Sequence, residues 1–518
     1  MPVSVIRFVF TVLVTLLRWS FFLLFWLCRL LYRGLCKALR ARSVTHGSAR
    51  WASLADLVRG RALGGDSGII VGKAFGQFIR FKQNGAVLVC APQGQGKGVG
   101  IVIPNLLDHK GSALVTDPKG ENYGVTHRHR GTLGRVWCLN AITPKLSDGF
   151  NPFSMIRVGT EHEADDAAQI AEFLVIPESR ESHWDTSAKN LLTAVIRYVI
   201  DTYPPEQATL AMVSELITSA PERREELLMD MAGSRLPSVA QEARLMLASL
   251  KTEAAQNIMH NAGKVMAFWS KDRIGAYLTR TSDFSMMDLH REAVTIYVMV
   301  PDDKIEVFAP FLRMMSGCAL AALMRGKELP RPKHKPLLML DECKAIGRLE
   351  ALAKGMGLLR EYCRTVLIWQ DYGQLRELYG NNGEQTFMAG SGCQVTFGIS
   401  DLWTARQLST DVGRTTVWSR NEGMSANTTD LVRGQRQDGR SEAGRDLKDP
   451  AEMRGLLSHQ CVISMRGQVP APILARKVRY YTEWCWKGLY DPWRSSAEVV
   501  PFPASTHDEQ APRDRDAA

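Results

Sequence analysis

Lys97 closes a glycine-rich stretch, Ala91-Pro92-Gln93-Gly94-Gln95-Gly96-Lys97-Gly98-Val99. Glycines in such a turn let backbone N–H groups converge on phosphate oxygens, and the lysine reaches the β- and γ-phosphates. The usual pattern has glycine at the first position and Ser or Thr after the lysine; here Ala91 and Gly98 stand there. The loop alone is therefore an incomplete argument for nucleotide binding, and two groups downstream complete it. Pro336-Leu337-Leu338-Met339-Leu340 is an apolar run that delivers Asp341 and Glu342 at its end. In nucleotide hydrolases the first such acid serves magnesium and the second polarises the attacking water. A second apolar run, Thr365–Trp369, ends at Gln370. An amide there can sense a γ-phosphate or hold the lytic water; on residue type alone it is equally a strand-end hydrogen bonder.

These residues need a scaffold that brings distant segments together, since 244 positions separate Lys97 from Asp341. Apolar runs at 86–90, 112–116, 294–300, 336–340, 365–369 and 395–398 read as buried strands, with a helix over 99–107 following the loop. Strands alternating with helices predict an α/β fold with a parallel-rich sheet covered on both faces. From 161 to 288 the pattern changes. Trp184, Ala188, Leu191, Leu192, Val195, Ile196 and Val199 recur at helical spacing, and helical stretches follow near 207–218, 222–232, 239–250 and 253–268. An all-α domain inserted into the nucleotide-binding domain accounts for the long gap. The expected organisation is a membrane anchor with a basic flank (1–42), the first part of the nucleotide-binding domain (43–160), the all-α domain (161–288), the second part (289–490) and a disordered tail (491–518). Apolar residues are sparse over 417–450, which reads as a mobile loop.

The net charge of +10 invites a nucleic-acid reading, but its placement points elsewhere. Eight basic residues and no acid fall within residues 1–50, so the remainder is close to neutral. Phe8 to Cys28 is nearly all apolar. As a helix rising about 1.5 Å per residue it just crosses a core of about 30 Å. Arg18 in its middle costs roughly 2.5–3.5 kcal/mol on insertion scales; a surface-lying amphipathic helix is the alternative. Arg29, Arg33, Lys37, Arg40 and Arg42 after the segment outweigh Arg7 before it, which puts the bulk of the chain on the cytoplasmic side of a single pass. The ten cysteines are scattered without C-x-x-C pairs, the pattern of reduced thiols and not of a zinc site or disulfide framework.

Further motifs occur in a fixed order: His46-Gly47-Ser48-Ala49-Arg50-Trp51, the loop with Ile103-Pro104, Asp117-Pro118-Lys119-Gly120-Glu121, Asn151-Pro152-Phe153, and Trp184 with Ala188-Lys189-Asn190-Leu191-Leu192. Leu340-Asp341-Glu342 and Gln370 with Gln374-Leu375 and Tyr379-Gly380 follow. Together, over about residues 46–481, they resemble the type IV coupling proteins, membrane-anchored ATPases of bacterial conjugation and type IV secretion. The resemblance implies a RecA-like P-loop motor domain using ATP and Mg2+, an all-α domain, and a ring of six subunits at the bacterial inner membrane. It also implies partners: single-stranded DNA with its relaxase, effector proteins, and the inner-membrane components of a secretion channel. Carried over by position, Lys97 binds phosphate, Asp341 serves magnesium, Glu342 is the catalytic acid, Gln370 is the sensor, and residues 91–99 cradle the nucleotide. Asp117 falls near the nucleotide without an assigned role. Three departures stand out: one expected span where many relatives have two, no hydroxyl at Gly98, and no identified arginine finger, for which Arg364 and Arg414 are candidates.

Two other functions fit parts of the pattern. A nucleotide-binding substrate receptor without motor activity would not require Glu342. A septal double-stranded DNA translocase would share the motor fold but not the position of the helical insertion.

Overall fold

The computed structural model describes residues 44–176, 183–380, 382–425 and 435–493, with positions 19–20, 23–26 and 28–29 of the N-terminal segment. Two thirds of the span read at 8–28, and all but three residues of the tail from 491, lie outside these residues. Among the described residues no helix is long and apolar enough to cross a membrane.

In chain order the strands are β1 (Ile69–Ala74), β2 (Gln77–Phe81), β3 (Ala86–Cys90), β4 (Ala113–Pro118), β5 (Arg135–Asn140), β6 (Val294–Val300) and β7 (Leu337–Leu340). They continue with β8 (Arg364–Trp369), β9 (Ser391–Thr396), β10 (Arg414–Ser425), β11 (Gln435–Asp446), β12 (Gln460–Met465) and β13 (Ile473–Arg476). Eleven form one sheet in the order β2-β1-β13-β12-β9-β3-β8-β7-β4-β6-β5. From β9 to β5 the neighbours run parallel. The other four extend the sheet beyond β9 with antiparallel pairing. Leu88, Leu114, Leu338 and Leu367 enter one apolar cluster, while Val87, Val115, Met339 and Val366 enter another. Alternate residues thus bury against opposite layers, which is why these strands read as continuous apolar runs.

Every element between β5 and β6 is helical. The longest, His183–Thr202, buries Leu191, Leu192, Val195, Ile196 and Val199 as its spacing requires. Trp184 departs from that stripe and is 41% exposed at the first turn. Thr209 and Thr252 start their helices by accepting from Met212 N and Ala255 N, and Pro221 and Pro237 open two more. These helices share one apolar cluster with a face of the sheet.

The helix expected over 99–107 is broken in two: a π-helical turn, Gly98–Val102, precedes the α-helix Ile103–Asp108. Pro104 has no N–H for a bond to Gly100, and Ile103 N reaches back to Gly98 O, widening the turn. Among the described cysteines all are free, and all but Cys28 and Cys485 are buried.

Residues 44–50 and 409–449 form a separate compact unit. Here the expected loop at 417–450 is corrected. β10 and β11 pair antiparallel in unbroken register from Arg414↔Asp446 to Ser425↔Gln435. A two-stranded ladder satisfies its backbone without an apolar face, so the alternation that reveals a strand is missing. Ala49 N donates to Arg414 O at 2.9 Å and Thr416 N to Gly47 O at 3.1 Å. A Cβ on Gly47 would stand 2.2 Å from Arg414 O, so the His46-Gly47-Ser48 motif is a docking strip for β10.

Candidate active site

The polar residues that follow or close β3, β4, β7 and β8 gather at one edge of the parallel sheet. β3 runs into the loop, where Ala91 N still donates to Trp369 O of β8 at 2.9 Å. Ala91 is fully buried in the core beneath the loop, so its methyl occupies packing space where the usual pattern has glycine. Gly94 (φ +75°) and Gly96 (φ +83°) take left-handed conformations that a side chain would strain. The first helical turn then begins at Lys97, whose side chain is only 10% exposed.

Asp117, the penultimate residue of β4, ties down the start of the helix Glu121–Leu133. Its Oδ1 accepts from Asn122 N (3.3 Å) and Asn122 Nδ2 (3.1 Å), and its Oδ2 from Tyr123 N (2.8 Å). Burial pushes its carboxyl up to about 7, against those hydrogen bonds, and the charges of Asp341 and Glu121 add to the rise. Thr116 Oγ1 donates to Asp341 O at 2.8 Å and so couples the ends of β4 and β7.

β7 delivers Asp341 and Glu342. Desolvation pushes the Asp341 carboxyl up to about 6; Lys97 opposes the rise and Glu342 adds to it. Glu342 sits at φ +57°, a left-handed conformation uncommon for a residue with a side chain and concentrated at functional sites. Its Oε2 lies 3.2 Å from Lys97 Nζ, and its Oε1 accepts from Gln370 Nε2 at 2.6 Å. Gln370 is held in turn: its N–H donates to Gln374 Oε1 at 3.0 Å, on a helix whose first turn is capped by Asp371.

Lys97, Asp341, Glu342 and Gln370 are thus brought together. A cleft of about 250 Å3 opens between the loop and the acids, lined by Gln93, Gly94, Gly96, Lys97, Gly98 and Val99 with Asp117, Asn122, Asp341 and Glu342. Ala91, Pro92, Gln95 and Gln370 do not line it; Gln370 reaches it only through Glu342. Arg364 starts β8 and lies at the opposite end of that strand from Gln370. Arg414 pairs with Asp446 at 3.5 Å. Sequence reasoning missed Asn122 and Lys477. Lys477 Nζ donates to Gln95 O at 2.9 Å and braces the loop from beyond β13. Asn122 follows directly on the Asp117–Glu121 motif, and that adjacency was the available signal; nothing local marks Lys477.

The donor set of the cleft suits magnesium held with a nucleotide. Among the described residues, no three His, Cys, Asp or Glu side chains converge as a protein-only metal cage. Asp341, together with the unpartnered and buried Oδ1 of Asn122, instead offers oxygens beside a phosphate-sized loop. That suits a cation completed by substrate phosphates, the usual manner for magnesium.

Residues 46–511 match the family described as Type IV secretory system Conjugative DNA transfer. The chain is 29% identical over 457 residues to the conjugal transfer protein TraG of Escherichia coli, covering 80% of this chain and 71% of that one. It is 27% identical over 479 residues to protein VirD4 of Agrobacterium fabrum, covering 89% and 69%. Among solved structures, the bacterial conjugative coupling protein TrwB superposes with a TM-score of 0.61 at 17% identity, covering 83% of this chain and 92% of that chain. TrwB in complex with ADP and Mg2+ gives 0.61 at 16% identity, covering 83% and 94%. These structural likenesses are ones of fold.

Proposed function

The chain belongs to the type IV coupling proteins, the conjugative DNA-transfer family of type IV secretion, and on that footing we propose that it hydrolyses ATP at the cleft beside Lys97 to drive transfer. The observation that carries the proposal is the Glu342 carboxylate held between Lys97 Nζ and Gln370 Nε2 at the ends of adjacent parallel strands. Phosphate oxygens in the loop compete with Glu342 for Lys97. Once Lys97 turns to the phosphate, Glu342 keeps Gln370 as a partner and has an oxygen free to accept a proton from water. Gln370 fixes the carboxylate's direction, and Gln374 fixes Gln370. Asp341 is the acid that would hold magnesium, which would supply charge neutralisation to the nucleotide phosphates.

The segment 8–28 supplies the membrane tether in this reading, and the helices of 161–288 form the domain that receives cargo. Single-stranded DNA with its relaxase, or effector proteins, is the cargo class, and six copies form the active ring. Hydrolysis between subunits then calls for an arginine from a neighbour.

ATP turnover by the full chain, with and without single-stranded DNA, tests the motor reading. Lys97→Ala and Glu342→Gln should each lower turnover by about 10²-fold or more. A wild-type protein that binds ATP yet shows no turnover at concentrations permitting ring assembly would leave a substrate receptor in place of a motor.

A further inference from the structure

Phosphate-loop hydrolases place a Ser or Thr hydroxyl after the lysine, and that hydroxyl is a magnesium ligand. Gly98 has no side chain, yet its surroundings are not empty of oxygen. A Cβ built on Gly98 would lie 3.7 Å from Asn122 Oδ1 and 4.0 Å from Glu121 Oε2. Both residues open the helix that follows β4, and both line the same cleft as Gly98.

Asn122 is 3% exposed, and its Oδ1 has no hydrogen-bond partner within the protein. Its amide orientation is set from the other side, because Nδ2 donates to Asp117 Oδ1 at 3.1 Å. Flipping the amide would bring its oxygen against a carboxylate whose two oxygens already accept from Asn122 N and Tyr123 N. The carbonyl oxygen is therefore turned away from Asp117 and toward Gly98, at the buried margin of the cleft. Buried side-chain oxygens are nearly always hydrogen-bonded, and an exception calls for an explanation such as an ion. Here that oxygen borders the position from which the usual hydroxyl would project.

We infer that Asn122 Oδ1 takes the place of the missing hydroxyl as an oxygen donor to the nucleotide-bound magnesium. Glu121, one residue earlier, contributes a nearby carboxylate and the charge that a neutral amide lacks. The role of Asp117 follows: it is a positioning residue that orients the donor by holding the Asn122 amide. The assignment rests on the nucleotide-hydrolase reading of the cleft and specifies how that site manages without Ser or Thr.

The test measures binding of a non-hydrolysable ATP analogue to the full chain in EDTA and in Mn2+, with bound Mn2+ followed by electron paramagnetic resonance. Asn122→Ala should weaken Mn2+ binding to the nucleotide complex tenfold or more, reducing the ratio of analogue affinities with and without metal. Adding Gly98→Ser to that variant should recover most of the loss, since the Gly98 surroundings leave ordinary contact distances for a side chain. Unchanged Mn2+ affinity in Asn122→Ala, or equal weakening with and without metal, overturns the assignment. Should Asn122→Ala fail to fold, Gly98→Ser alone decides. A change under threefold is expected where a donor already serves the position, and a gain of tenfold or more shows that none did. A wild-type chain that binds no analogue in either condition overturns the hydrolase reading itself.

Discussion

The two ends of the parallel strands carry opposite charge and treat it differently. At the carboxyl ends stand Asp117, Asp341 and Glu342, and desolvation pushes Asp117 and Asp341 up to about 7 and about 6. At the amino ends stand Arg130, Arg364, Lys335 and His109, where burial holds each below its ordinary value. Enclosure opposes charge at both ends. They differ in satisfaction. The Arg130 guanidinium donates to Thr295 Oγ1 at 2.7 Å, to Gly111 O at 2.5 Å, and to His109 O. Lys335 Nζ donates to Arg360 O at 2.9 Å. The carboxyl end keeps an unpartnered Asn122 oxygen, a left-handed Glu342 and an open cleft. Polar groups closed on themselves mark scaffold, whereas polar groups left strained or unpaired mark the place where a ligand completes the structure.

The largest effect should come from the strained acid. Glu342→Gly removes the carboxylate and the steric objection to φ +57° together. Turnover should fall by about 10²–10⁴-fold, while the denaturant midpoint stays level or rises. A marked loss of stability would mean that Glu342 holds the fold together, and the contrast between the ends would collapse. Arg130→Met asks the reverse question. It strands several buried carbonyls and should cost about 3 kcal/mol in urea unfolding, with analogue affinity per folded molecule within twofold of wild type. A selective loss of nucleotide binding at full stability would break the comparison from the other side.

The sequence showed the carboxyl end better than the amino end. Lys97, Asp341, Glu342 and Gln370 each close an apolar run or a glycine turn, so local pattern exposes them. Arg130 lies in the last turn of a weakly amphipathic helix, and only the sheet's topology brings it beneath Thr295. The strands from β9 to β5 were legible where burial on both faces made the runs continuous. β1, β2, β5, β12 and β13, at or beyond the margins of that set, went unread, as did β10 and β11. Asn122 needed the structure for another reason: an asparagine after an acidic motif is ordinary until its oxygen is seen to have no partner.

The smallest effect is the most discriminating about the amino end, because it concerns the member that departs from the pattern. His109 Nε2 is buried without a partner, unlike the Arg130 and Lys335 nitrogens above. Enclosure, reinforced by the charges of Arg130, Arg364 and His334, drives its pKa down from 6.5 to about 3, so the ring is neutral in the folded protein. The unfolded chain takes up a proton near 6.5, which the folded chain refuses until about 3. Stability from this group is therefore complete above about pH 6.5 and declines as pH falls through the window between those values. From pH 7.5 to 5.5 the decline should be about 1 kcal/mol. Other groups titrate over the same range, so the informative quantity is the difference in pH slope between wild type and His109→Asn, measured by urea unfolding at both values. A shallower acid decline in the variant shows that His109 is a neutral, unsatisfied exception at the amino end, so that an unpaired group marks a ligand site only where a cleft adjoins it. Equal slopes would show that His109 reaches solvent or a partner, which would remove the exception and sharpen the contrast between the two ends.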